Sequence, residues 1–133
     1  MIIEIKTRLE DIGGLERQLA WYERASWAAG RVLGREPKRI VSWCLALASD
    51  EVEHSVRAHR DLLALVFPLR AAELADVLVD PQSRQTGSRG FALIDPSSRR
   101  RDWLVRTIVD GRRSRAPYTS YSDAMARMGL PRS

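Results

Sequence analysis

The first six residues, which read MIIEIK, place a carboxylate and an amine two positions apart in an otherwise apolar run. This pattern predicts a β-strand. Side chains alternate along a strand, so Glu4 and Lys6 share one face while Ile3 and Ile5 point to the other. Charges on a buried strand need partners or a metal ion to offset the cost of leaving water. The pair is therefore the first candidate for a functional site, and a salt bridge on an edge strand is the alternative interpretation.

A second candidate pair lies further along, where Gln18 and Tyr22 stand four positions apart in a helical pattern. That spacing puts both polar ends on one helix face, although an ordinary amphipathic surface would look the same. The two histidines, His54 and His59, are five positions apart and do not share a helix face. Without a cysteine cluster near them, zinc binding is not predicted.

The third candidate is a group of arginines near the end of the chain. The net charge is +5, yet residues 1–80 carry 11 basic and 13 acidic side chains, whereas residues 81–133 carry 11 arginines and 4 aspartates. The basic surplus therefore lies entirely in the second range, which favours an anionic partner, most simply DNA or another nucleic acid. A solvated basic surface is the alternative. The candidate nucleic-acid-binding residues are Arg99, Arg100, Arg101, Arg112, Arg113 and Arg115.

The elements that must position these side chains begin with a strand at residues 2–7 and a helix at residues 15–33. Asp11 is the predicted N-cap of the helix, and Gly34 suits the position after its end. The predicted apolar stripe of the helix contains Leu15, Leu19, Tyr22, Ala29 and Leu33, widened by Trp21, Ala25, Ala28 and Val32. An apolar strand over residues 39–49 follows, so these elements predict a βαβ unit with parallel strands.

The rest of the chain predicts further helices and a hairpin. Asp50 and Glu53 resemble a capping box that opens a second helix, and Pro68 is expected to start a third. After a loop at residues 80–90, two short strands at 91–95 and 103–109 form a hairpin tipped with three arginines. A last short helix is expected at residues 122–128. The predicted fold class is α/β, with a core in residues 1–80 and a basic extension in residues 81–133 packed on the same domain.

Composition limits the cellular setting. A chain of 133 residues with 44% apolar residues suits one small folded domain. It has neither an apolar run of about 18 residues nor a signal-peptide pattern, so no membrane association is expected. The lone Cys44 excludes an intrachain disulfide and fits a reducing cytoplasm.

The order of Glu-x-Lys strand, helix with Gln-x-x-x-Tyr and apolar strand resembles the PD-(D/E)xK nuclease superfamily over residues 1–49. The chain also resembles the C-terminal part of actinobacterial nuclease-like proteins that end in a basic tail. This resemblance implies a partial restriction-endonuclease-like core. It also implies that Glu4 binds Mg²⁺, that Lys6 activates or orients the attacking water, and that Gln18 and Tyr22 organise the site.

No residue of this sequence matches the metal-binding aspartate of the family, because that aspartate would precede residue 1. The expected function is Mg²⁺-dependent hydrolysis of DNA phosphodiester bonds, impaired or absent in this chain. The acidic residues that could replace the aspartate are Glu10, Asp11, Glu16 and Glu23. A non-catalytic nucleic-acid-binding or regulatory module that uses the basic C-terminal part is the alternative, and a bare oligomerisation domain is a third hypothesis.

The same resemblance predicts whether the protein assembles with another copy of itself. Without the strands that precede it in the family, the first strand is expected to lie at a sheet edge, with no proline to protect it. A homodimer is therefore predicted, with the two first strands antiparallel and the two Glu4 carboxylates close together. If the hairpin of residues 91–109 instead folds back over this edge, the protein is a monomer.

Overall fold

The computed structural model describes residues 1–80, 88–99, 103–106 and 115–131, which form four strands and five helices. In chain order these are β1 (Ile2–Lys6), α1 (Ile12–Val32), β2 (Ser42–Leu47), α2 (Asp50–Ala58), α3 (Arg60–Val66), α4 (Ala71–Val79), β3 (Arg89–Ile94), β4 (Leu104–Val105) and α5 (Tyr121–Arg127).

The strands form one mixed sheet in the order β1-β2-β3-β4. β1, β2 and β3 are parallel, and β4 runs antiparallel to β3. The predicted βαβ unit is thus confirmed as β1-α1-β2, and the predicted hairpin appears as β3-β4, while its tip at residues 100–102 and its end at 107–109 lie outside the described residues. The alternative in which this hairpin covers the first strand is wrong, because β3 and β4 join the far side of β2.

The sheet has a packed layer on each face. On one face, α1, α2 and α3 cover β2 and β3; on the other, α4 covers the same two strands. β2 is buried along its whole length, as its two apolar faces predict. The first core is built on Leu15, Leu19, Cys44, Val56, Leu63, Phe67 and Phe91, and the second on Trp43, Leu45, Leu69, Leu74, Ala92 and Ile94.

Helix α1 has the predicted N-cap and the predicted glycine after its end, although it spans Ile12–Val32 and not residues 15–33. The Asp11 carboxylate accepts a hydrogen bond from the Gly14 N–H at 2.8 Å, and Gly34 has a φ of +64° just beyond the last turn. The predicted buried face is wrong in part. Ala29 and Leu33 of the predicted stripe are exposed, and so are the side chains that were expected to widen it: Trp21, Ala25, Ala28 and Val32. The sheet lies against one side of the helix and leaves these side chains in solvent.

Two other predicted boundaries need correction. Ser49, not Asp50, caps α2, because its hydroxyl accepts from the Val52 N–H at 3.1 Å. Pro68 does not begin a helix, since α4 starts at Ala71 with the Glu73 carboxylate accepting from the Arg70 N–H at 3.0 Å. In the described part of the chain, no helix combines the length and apolar content that a membrane span requires.

The contact between β2 and β3 gives a stability prediction. Gly90 on β3 lies directly beside Trp43 on β2, and a methyl group at Gly90 would overlap the fully buried indole ring. We expect Gly90→Ala to lower the free energy of unfolding by about 1–3 kcal/mol, as overpacking does. Urea denaturation measures this, with Gly13→Ala as the control because the nearest atom to its added methyl is 3.4 Å away. Equal stability of the two variants would contradict the packing argument.

Candidate functional site

Glu4 and Lys6 lie on the same face of β1, the face covered by α1, as the strand period predicts. The Lys6 Nζ is 3.1 Å from the Glu4 Oε1 and donates to the Gln18 Oε1 at 3.4 Å. The Gln18 Nε2 in turn donates to the Tyr22 hydroxyl at 3.0 Å. The structure therefore brings all four predicted residues into one continuous polar network, which we call the Glu4–Tyr22 network.

Local packing explains how these side chains meet. β1 pairs with β2 so that Glu4 lies beside Cys44 and Lys6 beside Ala46, two small buried residues that leave room above them. Leu15 and Leu19 anchor α1 in the core. Their positions turn the side of the helix that carries Gln18 and Tyr22 towards the strand.

A cleft of about 290 Å³ opens beside this network, where β1 ends and the chain turns into α1. Its lining residues are Lys6, Arg8, Leu9, Glu10, Asp11, Gly14, Leu15 and Gln18. In open α/β sheets, ligands bind at the carboxyl ends of the strands, which is where this cleft lies. The lining carries both charge signs, so the cleft by itself does not select an anion or a cation.

Of the four carboxylates that were considered as replacements for the aspartate of the PD-(D/E)xK superfamily, Glu16 and Glu23 are engaged elsewhere and the other two line the cleft. Arg89 on β3 binds Glu23 at 2.9 Å and Glu16 at 3.5 Å, which ties α1 to the third strand. Asp11 caps its helix, and Glu10 lines the cleft. Within the described part of the chain, none of these four side chains forms a hydrogen bond or an ion pair with Glu4.

Whether these side chains fit Mg²⁺ depends on how many oxygen ligands they bring together around one position. Mg²⁺ requires about six oxygen ligands in near-octahedral geometry, and protein sites usually supply at least one or two carboxylates together with substrate oxygens. Over the described ranges, no group of three or more His, Cys, Asp or Glu side chains is arranged to hold a metal ion. Among the described residues Glu4 is paired with the Lys6 ammonium and does not belong to a cluster of that kind.

Cys44 lies beneath the network and is buried. Burial raises the pKa of its thiol from 9.0 to about 12. The nearby Lys6 ammonium acts to lower this pKa, and the Glu4 carboxylate acts to raise it. The thiol is therefore neutral near pH 7 and packs as a small apolar side chain.

The arginine candidates are only partly within the described structure. Arg99, after the end of β3, and Arg115, before the last helix, are both exposed. Arg100, Arg101, Arg112 and Arg113 lie outside the described residues. The structure thus leaves the predicted basic tip of the hairpin as a prediction.

A further polar cluster was not anticipated from the sequence. The Tyr118 hydroxyl donates to the Asp95 Oδ1 at 2.6 Å, and the Ser97 hydroxyl contacts both groups. Burial, together with the hydrogen bond to Asp95, raises the pKa of Tyr118, so the phenol stays protonated. The cluster fastens the end of β3 to the segment before α5. An Asp-Pro-Ser sequence signals the turn, but nothing local signals a tyrosine 23 residues away.

Comparison of this chain with protein-family models, with curated proteins and with solved structures gives no match in any of the three.

The raised pKa of Cys44 gives a testable result. We expect a thiol reagent to label the folded protein very slowly at mildly alkaline pH, because the thiol is buried and neutral, and to label it rapidly after unfolding in urea. Because the pKa in the folded protein exceeds the ordinary value, the neutral thiol stabilises the fold fully below about pH 9.0, and this contribution is lost as the pH rises towards 12. Spectrophotometry measures the rate of labelling in folded and unfolded protein, with Cys44→Ala as the blank. Rapid stoichiometric labelling of folded protein would contradict it.

Proposed function

We propose that this chain is a nuclease-like domain that binds DNA and in which phosphodiester hydrolysis is impaired or absent. The observation that carries the proposal is the Glu4–Tyr22 network, because it joins Glu4, Lys6, Gln18 and Tyr22, and two of these side chains, Lys6 and Gln18, line the cleft. These are the four side chains that the PD-(D/E)xK resemblance selects. A helix surface unrelated to the strand would not place Gln18 on the Lys6 amine.

Each side chain then has a distinct task at the cleft. Lys6 offers a compact positive charge to a phosphate oxygen. The Glu4 carboxylate lies 3.1 Å from that amine and holds it in place. The Gln18 amide is held by hydrogen bonds at both ends, to Lys6 and to Tyr22, so it orients the amine toward the cleft it helps to line. Together they form a phosphate-binding position rather than a complete hydrolytic centre.

Hydrolysis needs more than this set provides. The Mg²⁺ chemistry of the PD-(D/E)xK type depends on carboxylates that converge on one ion. The described residues place Glu4 against Lys6 and bind Glu16 and Glu23 to Arg89. We therefore propose no cleavage step for this chain alone.

Charge supports DNA as the partner. Residues 81–133 carry seven more arginines than aspartates, and Arg99 and Arg115 are exposed. Guanidinium groups bind the phosphate backbone of any sequence and release counterions as they do so. We propose that this basic part of the chain supplies most of the affinity for DNA.

A second candidate function is a non-catalytic module in which the basic part alone binds nucleic acid. The observation in its favour is that Glu4 and Lys6 satisfy each other, as in a structural ion pair on an edge strand. The two candidates differ in whether Lys6 touches the ligand, so they differ in the effect of Lys6→Ala on binding.

For DNA binding, we expect affinity to fall steeply with salt, because it depends on phosphate contacts. Replacing Arg99, Arg100 and Arg101 together by alanine should weaken binding to unrelated duplexes alike and reduce the log–log salt slope by about 3. Fluorescence anisotropy titrations at several salt concentrations measure this. The matched control replaces three exposed arginines of residues 1–80: Arg24, Arg31 and Arg35.

An equal loss in both triple variants would mean that net charge, not the hairpin tip, drives binding. Binding that is insensitive to salt and to both sets of arginines would remove DNA from the proposal.

For cleavage, we expect little or no nicking of supercoiled plasmid by this chain with Mg²⁺ or Mn²⁺, because the described donors do not form a metal site. Lys6→Ala should weaken DNA binding several-fold, whereas Lys38→Ala, the only other lysine substitution available, should not. Plasmid gels and anisotropy measure the two effects.

Nicking that Lys6→Ala abolishes would overturn the statement that the chain is inactive. Glu10→Gln would then test whether the carboxylate in the cleft completes the site. Unchanged DNA binding by Lys6→Ala would favour the second candidate function.

A further inference from the structure

We propose that two copies of this chain join their sheets through β1, antiparallel about a two-fold axis beside Ile5, so that each Glu4 lies opposite Lys6 of the other copy. The proposal does not rest on DNA binding or on any activity of the site. It follows from three features on the same side of the molecule: an open strand edge, its charge pattern and an exposed apolar face of α1.

The open edge is visible in the hydrogen bonds of β1. The Ile2 N–H donates to the Val41 carbonyl at 2.8 Å, and β1 continues parallel to β2. Because backbone groups alternate in direction along a strand, the N–H and C=O groups of Ile3 and Ile5 point away from β2. Among the described residues no strand pairs with that side. The side chains of Ile3 and Ile5 are 51% and 64% exposed, so this is an unprotected apolar edge.

Charge selects how a second copy would pair with this edge. A two-fold axis normal to the sheet keeps each residue on its own face, so the axis can pass beside Ile3, Glu4 or Ile5. An axis at Glu4 sets two carboxylates directly opposite each other, which is destabilising. An axis at Ile3 sets Glu4 opposite Ile2 and leaves Lys6 beyond the pairing.

An axis at Ile5 satisfies both the charges and the backbone. It sets each Glu4 opposite Lys6 of the other copy, which gives two cross-strand ion pairs. The outward backbone groups of Ile5 pair with those of its symmetry mate, and those of Ile3 pair with Thr7. This register replaces the predicted meeting of two Glu4 carboxylates. The edge is self-complementary because the same five-residue strand supplies both charges, and this favours a second copy over an unrelated partner.

The exposed face of α1 lies on the same side. Gln18 contacts Lys6 of β1, whereas Glu16 and Glu23 reach across to Arg89 of β3. The exposed apolar residues lie 3, 7, 11 and 14 positions after Gln18, which places them on its side of the helix. They are Trp21, Ala25, Ala29 and Val32.

Two of these side chains are large and open to solvent, with Trp21 59% and Val32 87% exposed. Joining the sheets at β1 places the two α1 helices on one face of the continuous sheet, beside the joint. A second copy thus covers the strand edge and shields the α1 face that the monomer leaves uncovered, which is why we prefer it to any occupant of the strand edge alone.

Sedimentation velocity at micromolar concentration tests the assembly. We expect a species of twice the chain mass of 15.1 kDa. Ile5→Lys, which sets two like charges opposite each other at an exposed position, should give a folded monomer by circular dichroism and sedimentation. Val79→Lys, on α4 at 87% exposure, is the matched control and should remain a dimer. A monomeric wild-type protein, or equal dimerisation by both variants, would overturn the proposal.

Disulfide trapping tests the register. In the proposed pairing the two copies of residue 5 have Cα atoms about 5.5 Å apart, within reach of a disulfide. The two copies of residue 3 are four residues apart along the strand, roughly 13 Å. Under mild oxidation Ile5→Cys should therefore form a covalent dimer and Ile3→Cys should not, since the buried Cys44 does not compete. Crosslinking through residue 3, or through neither residue in a sample that sediments as a dimer, would overturn this register.

Discussion

The double burial of β2 is the constraint on which the rest of this structure depends. Every residue from Ser42 to Leu47 is shielded from solvent, so the strand needs a hydrogen-bonded neighbour on each side and a helical layer on each face. β1 and β3 supply the first requirement, and α1 and α4 contribute the second. The contact between Trp43 and Gly90 shows how closely β2 and β3 pack on the face that α4 covers, since the indole ring occupies the space where any other residue at position 90 would carry its Cβ.

β1 is less enclosed because it is bound on one edge and covered on one face. The covered face carries Glu4 and Lys6, whose charges find each other and the Gln18 amide in the space between strand and helix. The other face carries Ile3 and Ile5, which α4 does not cover. The strand thus has its charges under the helix and two of its three isoleucines, Ile3 and Ile5, in solvent. The site and the open edge are two consequences of the same register of β1 on β2.

Electrostatic pairing decides what the polar residues around α1 are able to do. Arg89 holds Glu16 and Glu23 on the β3 side of the helix, while Lys6 holds Glu4 and Gln18 on the β1 side. These polar contacts, one set to β3 and one to β1, give the fold two links between α1 and the sheet. The cleft is left with a positioned amine, and the described residues hold no group of three or more His, Cys, Asp or Glu side chains arranged around a metal ion.

Much of this arrangement could be read from local sequence. Alternation along residues 2–6 put Glu4 and Lys6 on one face, and a spacing of four put Gln18 and Tyr22 on one side of a helix, so the meeting of all four needed only the βαβ connection. Asp11 and Gly34 marked the ends of α1 because their chemistry suits those positions. Local chemistry was less decisive for α2, where Ser49 competed with Asp50 for the cap and the serine hydroxyl reached the Val52 N–H.

Tertiary structure decided the properties that depend on which neighbour covers a face. Periodicity shows that Trp21, Ala25, Ala28 and Val32 form an apolar stripe on the helix, but the finite width of the sheet leaves that stripe exposed. Ion pairs and hydrogen bonds between distant residues, such as Glu23 with Arg89 and Asp95 with Tyr118, have no local signal. The order of the strands is likewise fixed by the packing of the whole chain, although the resemblance had already led us to expect β1 at an edge. The sequence determined which residues share a face, because that depends on the backbone repeat; the tertiary structure decided which of those faces are buried, because that depends on contacts between residues far apart in the chain.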